Sequence, residues 1–370
     1  MLEYLRRDDG AQEISLEVLD DIAIEGEQTE LLQVKLQIEP GSLTDGSTEI
    51  WKTLRVWSAS AARAPDTLLV LVTTATAPEG SIASLLRPVD RDPQRAHERL
   101  VEYAKATTTK TLAPARKVFL ELEDAVRLAM VERIVIADGA PGIADLDAEF
   151  ERAVRHAAAA NRRKAFAERL REWWLRRAEV HLLEVAEGVD ARIAGAEIED
   201  QMTSLREQLT RENLPNDYEE MAAPSDEEVT EDKRAFVMQL RLIALSNERI
   251  RVAIHDHNRA FEQRSRWLRE DLLIGDELGV YETRLKDEWQ RLWLPETDGE
   301  LDQLTDGEAQ DRGRAVYSDC SGAVLEPIRP KVSAPYIQRG SFHILAEDRK
   351  IGWHHEWVER VAKLLEEASS

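Results

Sequence analysis

The sequence predicts two domains, an α/β domain followed by a mostly α-helical one. Strand-like and helix-like segments alternate as far as residue 137, which is typical of an α/β domain. A Pro/Gly cluster at residues 138–142 then interrupts the chain, and the pattern from Asp145 onward is helical almost throughout. Since one hydrophobic core rarely serves more than ~250–300 residues, a chain of 370 residues favours two domains. We therefore expect domains of residues 1–150 and 151–370.

The first domain contains a continuous apolar run and an amphipathic helix. Residues 67–73, Thr-Leu-Leu-Val-Leu-Val-Thr, are typical of a central strand that is buried on both faces. Ile50, Leu54 and Trp57 form one stripe of a helix over residues 47–62, with Ser47 as its N-cap. Further helices are predicted over residues 91–105 and 113–130, and a short strand over residues 132–137.

Residues 31–36 are predicted to form the strand that carries the functional side chains. Successive side chains of a strand point to opposite faces. Gln33 and Lys35 therefore project together, while Leu32, Val34 and Leu36 are expected to face the core.

A second strand over residues 18–24 carries an acidic pair, Asp20 and Asp21, and a short polar link joins it to the first. Such a hairpin brings a carboxylate beside an amide oxygen and an ammonium. The oxygens are ligands for Mg²⁺, and a lysine stabilises charge that develops on a phosphate. The alternative is an edge strand whose outer face is solvated, with Lys35 opposing edge pairing.

The residues after this strand strengthen the first interpretation. Residues 33–57 read QVKLQIEPGSLTDGSTEIWKTLRVW. This segment resembles the endonuclease domain of the Cap-four type in bacterial antiviral systems, which has a restriction-endonuclease-like PD-(D/E)xK fold. The resemblance implies that Asp21, Gln33 and Lys35 are catalytic. It also implies that Asp21 and Gln33 hold Mg²⁺, or alternatively Mn²⁺, with Asp20 as a possible substitute for Asp21. Related domains carry a helix with a glutamate before the first strand, for which Glu3 is a weak match here.

The charge of the chain opposes DNA binding as a whole but leaves two basic segments. The formal net charge is −23, and affinity for DNA depends on cations that meet phosphates. Residues 87–117 contain eight Lys/Arg against four Asp/Glu, and residues 152–177 contain nine against two. The DNA-binding candidates are Lys52, Arg55, Arg162, Arg163 and Lys164. The alternative for both segments is a solvated helix face.

Composition excludes several classes of protein. No run of residues approaches the length of a membrane span, and the N-terminus lacks a signal pattern. The single cysteine, Cys320, can form neither an internal disulfide nor a thiolate metal site. We therefore expect a cytoplasmic protein without membrane partners.

The second domain contains a packing stripe and further motifs. Leu278, Tyr281, Leu285, Trp289 and Leu292 recur at the a/d spacing of a helix that packs on another helix. The spacing of His343, His354 and His355 assigns them no role. Residues 236–243 (FVMQLRLI), 253–267 (AIHDHNRAFEQRSRW), 281–289 (YETRLKDEW), 339–345 (RGSFHIL) and 352–354 (GWH) resemble the C-terminal domain of ABC-three-component systems.

Together the two resemblances point to LmuA-like subunits of Lamassu-type defence systems. They imply a Mg²⁺-dependent endonuclease effector that cuts double-stranded DNA. Its partners would be an SMC-like ABC ATPase and a small third subunit, and assembly into a homo-oligomer would activate it. The alternative is a scaffold subunit of the same complex with a degenerate site, which the acidic charge and the short N-terminal segment favour.

Overall fold

The computed structural model consists of two compact units, Met1–Leu205 and Arg206–Ser370. It describes residues 1–6, 13–16, 22–26, 28–36, 41–60, 66–298 and 304–369. The predicted boundary at residue 150 falls inside the first unit, because a strand at Ile193–Ala194 pairs with the strand Glu13–Leu16 of the same sheet.

The first unit has a mixed sheet with helices. Its strands are β1 Glu13–Leu16, β2 Ile22–Glu25, β3 Glu30–Lys35, β4 Leu68–Thr73, β5 Ile134–Ala137 and β6 Ile193–Ala194. Its helices are α1 Leu2–Leu5, α2 Thr48–Ser60, α3 Pro93–Ala106, α4 Ala113–Glu121, α5 Asp124–Glu132, α6 Leu146–Ala153, α7 Arg163–Ala186 and most of α8 Gly195–Gln208, within which the first unit ends.

The sheet has the strand order β5-β4-β3-β2-β1-β6. β3 pairs with β4 in parallel and with β2 in antiparallel orientation, and β4 pairs in parallel with β5. The apolar run of residues 67–73 therefore does form an inner strand. The prediction of an α/β domain with a mostly helical remainder is confirmed, whereas the endonuclease-like fold remains a prediction.

A large hydrophobic cluster of this unit lies on one face of the sheet. Leu69 and Leu71 of β4 join buried side chains of α2, α3, α4 and α5, and Leu31 of β3 packs against the same cluster. Because side chains alternate along a strand, Gln33 and Lys35 share this helix-covered face with Leu31.

The opposite face of β3 differs from the prediction. Leu32 is buried, but Val34 and Leu36 are 37% and 40% exposed. Both side chains line an apolar cavity of about 350 Å³, which α1 and α6 also border. The expectation that Val34 and Leu36 enter the core was wrong, because these two side chains border this cavity and stay partly exposed, whereas Leu32 on the same face is buried.

The helical region predicted over residues 113–130 is divided. α4 ends before Leu122, whose backbone is extended with φ −65° and ψ 143°, and α5 begins at Asp124. Periodicity alone did not reveal this break, since both helices bury apolar residues against the same core.

The second unit is helical in its described part. Its helices are α9 Asp226–Glu231, α10 Ala235–Leu242, α11 Asn247–Arg269, α12 Glu277–Thr297, α13 Asp306–Gly322, α14 Pro335–Glu347 and α15 Trp357–Ser369. The predicted stripe lies on α12, where Tyr281 and Leu285 are fully buried. The Trp289 indole donates to the Gly352 carbonyl at 2.9 Å, so the stripe packs within this chain. Among the described residues, no helix combines the length and apolarity that crossing a membrane requires.

Asp138 fixes the loop that follows β4. Its carboxylate accepts hydrogen bonds from the Ala77 amide at 2.7 Å and from two nitrogens of Arg87 at 2.9 Å each. Burial raises the pKa of Asp138, but the hydrogen bonds from Arg87 and Ala77 outweigh it, and the net effect lowers the pKa below its usual value.

We predict that Asp138→Asn lowers the free energy of unfolding by about 1–3 kcal/mol at pH 7, the range for hydrogen bonds to a charged group. A lowered native pKa stabilises the fold above the unfolded pKa of about 3.9, and this contribution is lost as the pH falls through the native value. Urea denaturation at pH 7, 4 and 3 should therefore show a weaker pH dependence in the variant. Asp147→Asn, which removes an exposed pair with Arg171, is the control. Equal pH dependence in wild type and Asp138→Asn would contradict this role.

Candidate functional site

Gln33 and Lys35 lie toward the carboxyl end of β3, beside the carboxyl end of its parallel neighbour β4. Gln33 pairs with Leu71, and Lys35 pairs with Thr73. Gln33 is only 7% exposed, whereas Lys35 is half-buried. The carboxyl ends of parallel strands are where ligands bind in open α/β sheets. The sequence prediction that these two side chains share one face of a strand is consistent with this geometry.

Glu49 reaches the same edge from the first turn of α2. The Thr73 hydroxyl donates to the Glu49 carboxylate at 3.4 Å, and the Ala75 amide donates to the Thr73 hydroxyl at 3.1 Å. Because Thr73 is the strand partner of Lys35, the structure places a carboxylate one hydrogen bond away from that partner. The sequence analysis missed Glu49, since its relation to β3 depends on how α2 packs on the sheet. The only signal for Glu49 in the sequence was its position in the first turn of a helix. Acidic residues are common at that position, so the signal is not specific.

The acidic pair of the predicted site lies outside the described residues. Asp20 and Asp21 precede Ile22, where β2 begins as the structure describes it. Ile22 pairs with Leu32, the residue before Gln33. The roles predicted for Asp20 and Asp21 therefore remain predictions.

Two other carboxylates near this edge are already used within the fold. Asp45 accepts from the Ile82 amide and from Arg99, each at 2.7 Å. Asp138 accepts from Ala77 and Arg87. Each carboxylate is thus held by a backbone amide and a guanidinium. These aspartates stabilise the loops around β4 and are poor candidates for metal ligands.

The side chains near the edge of β3 carry the types of ligand atom that a hard divalent cation prefers. Mg²⁺ prefers oxygen ligands, takes one or two carboxylates and keeps several waters. Gln33 offers an amide oxygen and Glu49 a carboxylate. Lys35 is the cation that can neutralise charge on a bound phosphate.

The DNA-binding candidates differ in their exposure. Lys52 and Arg55 are exposed on α2, as predicted for the faces away from its apolar stripe. Arg162 is only 5% exposed, which leaves it almost no surface for a phosphate. Arg163 is half-buried, and Lys164 is exposed and lies 3.9 Å from Glu168. Arg162 is therefore withdrawn as a DNA contact, because its burial gives it a structural role.

The two basic segments present less positive charge at the protein surface than their counts of Lys and Arg suggest. In the first segment, Arg87 and Arg99 bind Asp138 and Asp45, and Arg91 donates to backbone carbonyls. The exposed cations there are Arg95, Lys105, Lys110 and Lys117. In the second segment, ion pairs with carboxylates hold Arg152, Arg171, Arg176 and Arg177.

Three side chains of the second unit meet the distance requirement for a metal site. Within the described ranges, one group of at least three His, Cys, Asp or Glu residues has all its ligand atoms within 4.8 Å of one another. This group consists of His354, His355 and Glu356. However, the two imidazole rings stack with their centroids 4.5 Å apart and their planes at 25°. Their nitrogen lone pairs therefore lie in nearly parallel planes and do not converge on one ion. Glu356 also accepts from Arg360 at 2.7 Å. These contacts disfavour a shared ion.

His354 and His343 are instead buried neutral rings. Burial, followed by the charges of His355 and Arg360, lowers the pKa of His354 to about 4. Burial also lowers the pKa of His343 to about 3. Both rings are therefore neutral at pH 7.

Comparison with known proteins assigns the C-terminal part of the chain. A search of curated proteins found no match. Residues 236–361 match the family model of C-terminal domain 7 of the ABC-three component (ABC-3C) systems. The matched range runs from α10 into α15 and contains the C-terminal motifs identified in the sequence. The predicted resemblance of these motifs to an ABC-three component C-terminal domain is therefore confirmed for residues 236–361.

Proposed function

We propose that this chain is the metal-dependent DNA endonuclease subunit of an ABC-three component defence complex of the Lamassu type. The observations that carry the proposal are the positions of Gln33 and Lys35 toward the carboxyl end of β3 and the hydrogen bond between Glu49 and Thr73, the strand partner of Lys35. An amide, an ammonium and a carboxylate at one sheet edge are the groups that phosphodiester hydrolysis needs. The family match of residues 236–361 supplies the defence context.

Each of these residues has a separate role. Gln33 and Glu49, together with Asp21, would hold Mg²⁺ or Mn²⁺. When bound, such an ion activates water and neutralises phosphate charge. The Lys35 ammonium contacts the scissile phosphate and stabilises the additional negative charge of the transition state. The burial of Gln33 keeps its amide in one orientation, which helps a ligand hold a fixed geometry.

The second unit is the assembly module in this proposal. Its match to an ABC-three component C-terminal domain supports binding to an SMC-like ABC ATPase and a small third subunit. The large interior of the unit, including the stripe of α12, packs within the chain, so partners bind the outer helix surfaces.

The charge distribution supports activation by assembly. Residues 1–55 contain thirteen Asp/Glu against five Lys/Arg. Such a segment repels DNA, and screening over about 8 Å at physiological salt does not remove the repulsion close to the site. The exposed candidate cations of the first unit are spread over separate segments, and we expect them to be few for one duplex: Lys52, Arg55, Arg95, Lys105, Lys110, Lys117 and Lys164. Several copies held together by partners would raise the local concentration of DNA-binding surface.

A scaffold with an inactive site is the second candidate. The observation that favours it is the burial of Gln33, which limits how far its amide can reach toward a solvent-bound ion. The fold and the C-terminal match are the same under both candidates, so activity must decide between them.

We predict that Lys35→Ala and Glu49→Gln each reduce plasmid cleavage by the purified complex at least about 100-fold. Each removes a charge that acts in the transition state or holds the ion, and losses of this size follow removal of one such group. The assay measures nicking of supercoiled DNA with Mg²⁺ at about 150 mM salt, where weak phosphate contacts fail. The lone chain should cut far less than the complex.

Glu132→Gln, at an exposed glutamate of the first unit at the end of α5, is the matched control for Glu49→Gln and should cleave like wild type. Thermal melting and co-purification of the partners verify that the variants fold and assemble. Full cleavage by Lys35→Ala would exclude the proposed site. Absence of metal-dependent cleavage by the wild-type complex would favour the scaffold.

We also predict that a chain of residues 206–370 still binds the ATPase subunit, because this range is a compact unit that contains the family match. Co-purification from cells that express both partners measures this. Residues 1–205 expressed in the same way are the control and should not co-purify. Binding by residues 1–205 alone would place the interface in the first unit.

A further inference from the structure

Three helices of the second unit border an open surface cavity that no step above uses. The cavity has a volume of about 430 Å³ and lies between α11, α13 and α14. Each helix lines it with side chains one turn apart, such as Tyr317 and Ser321 of α13 and Arg339 and His343 of α14. Residues four apart lie on the same face of a helix, so the cavity is formed by three inward faces.

Close packing of α14 against α11 fixes the shape of this cavity. A Cβ atom added to Gly340 would lie 2.1 Å from the Asp256 carbonyl oxygen and 2.4 Å from the Ala260 Cβ. Such distances exclude any side chain at residue 340, so the backbones of the two helices are in direct contact. Arg339 and His343, on either side of this contact, are therefore held at set positions over α11.

Each carboxylate that lines the cavity pairs with an arginine that does not line it. Glu248 pairs with Arg251 at 3.0 Å, and Arg251 also pairs with Asp226. Asp256, which is buried, pairs with Arg259 at 2.5 Å. Both carboxylates are thus engaged by cations outside the cavity, and Glu248 shares its cation with Asp226.

The two arginines that line the cavity have neutral partners only. The Arg249 guanidinium lies 5.3 Å from the centre of the Tyr317 ring and donates to the Ser318 hydroxyl at 3.0 Å. Arg339 donates from Nε to the Ser321 carbonyl at 3.3 Å. Within the part of the chain that the structure describes, neither forms an ion pair with a carboxylate. The cavity is thus lined by two arginines that no carboxylate of the described residues pairs with, in a protein of net charge −23.

A buried imidazole adds a polar group to the same cavity. His343 is 2% exposed, and its Nδ1 has no hydrogen-bond partner among the described residues. Leaving a buried polar atom without a partner costs free energy. A ligand that forms a hydrogen bond with this ring would remove that cost.

We infer that the cavity between α11, α13 and α14 binds a small phosphate monoester, with Arg249 and Arg339 holding the phosphate. The two charges of a phosphate monoester match the two guanidinium groups, and its oxygens accept the paired N–H groups of arginine. A volume of about 430 Å³ lies within the range of small-molecule sites, ~300–1,000 Å³. The inference does not depend on nuclease activity.

The test is isothermal titration of the full chain with adenosine 5′-monophosphate at pH 7.5, without added metal. We expect one saturable site, competition by inorganic phosphate, and no binding of adenosine, because the phosphate is the recognised group. Arg249→Gln and Arg339→Gln should each weaken binding at least about tenfold, as expected for loss of a charged hydrogen bond. Arg339→Lys, which keeps the charge, should weaken binding less than Arg339→Gln.

Arg269→Gln, at an exposed arginine of the same helix α11, is the matched control and should bind like wild type. Lys35→Ala should also bind normally, which separates this site from the proposed nuclease site. Thermal melting shows whether each variant is folded. The inference is overturned if no binding saturates below about 10 mM, which corresponds to less than 3 kcal/mol. It is also overturned if adenosine or succinate competes as well as phosphate, or if folded Arg249→Gln and Arg339→Gln bind like wild type.

Discussion

The parallel pairing of β3 with β4 is the contact on which the arrangement of the first unit depends. Six residue pairs join the two strands, from Glu30 with Leu68 to Lys35 with Thr73. This register aligns the carboxyl ends of both strands and makes β3 an inner strand. It also turns Gln33 toward the helices that cover Leu69 and Leu71, so that a polar amide becomes buried beside the core. A single-residue shift would exchange the faces of β3 and would separate Lys35 from Thr73 and Glu49.

Internal ion pairs explain how an acidic chain can keep several basic segments and still present little positive surface. Arg87, Arg99 and Arg177 each bind a carboxylate that is distant in sequence, and these contacts connect loops and helices of the first unit. Cations used in this way are unavailable to phosphates. In the proposed function, DNA would bind through surface lysines and partner subunits, which fits a nuclease that is active only when assembled. Arg249 and Arg339 are exceptions, because their only partners are neutral.

Local sequence patterns predicted the positions of strands and helices in the first unit better than they predicted which face of each strand is covered. The apolar run of residues 67–73 identified β4, and the stripe of α2 identified which side chains that helix buries. Alternation along β3 correctly separated Gln33 from Val34, but alternation does not say which face receives the helices. The same limit applies to the candidate site. Gln33 and Lys35 are two residues apart and were found from sequence, whereas Glu49 joins them only through the packing of α2 against β4. The burial of Arg162 likewise depends on tertiary contacts that charge counting does not include.

The central claim is that the carboxyl edge of β3 and β4 holds a divalent ion for phosphodiester hydrolysis. The most direct measurement is a crystal structure of the chain grown with Mn²⁺, with an anomalous difference map to locate the ion. The account predicts a peak within about 2.5 Å of oxygen atoms of Gln33 and Glu49, the distance range of carboxylate and amide ligands to hard cations. A fully occupied peak elsewhere, for example at His354, His355 and Glu356, together with none at this edge, would contradict it.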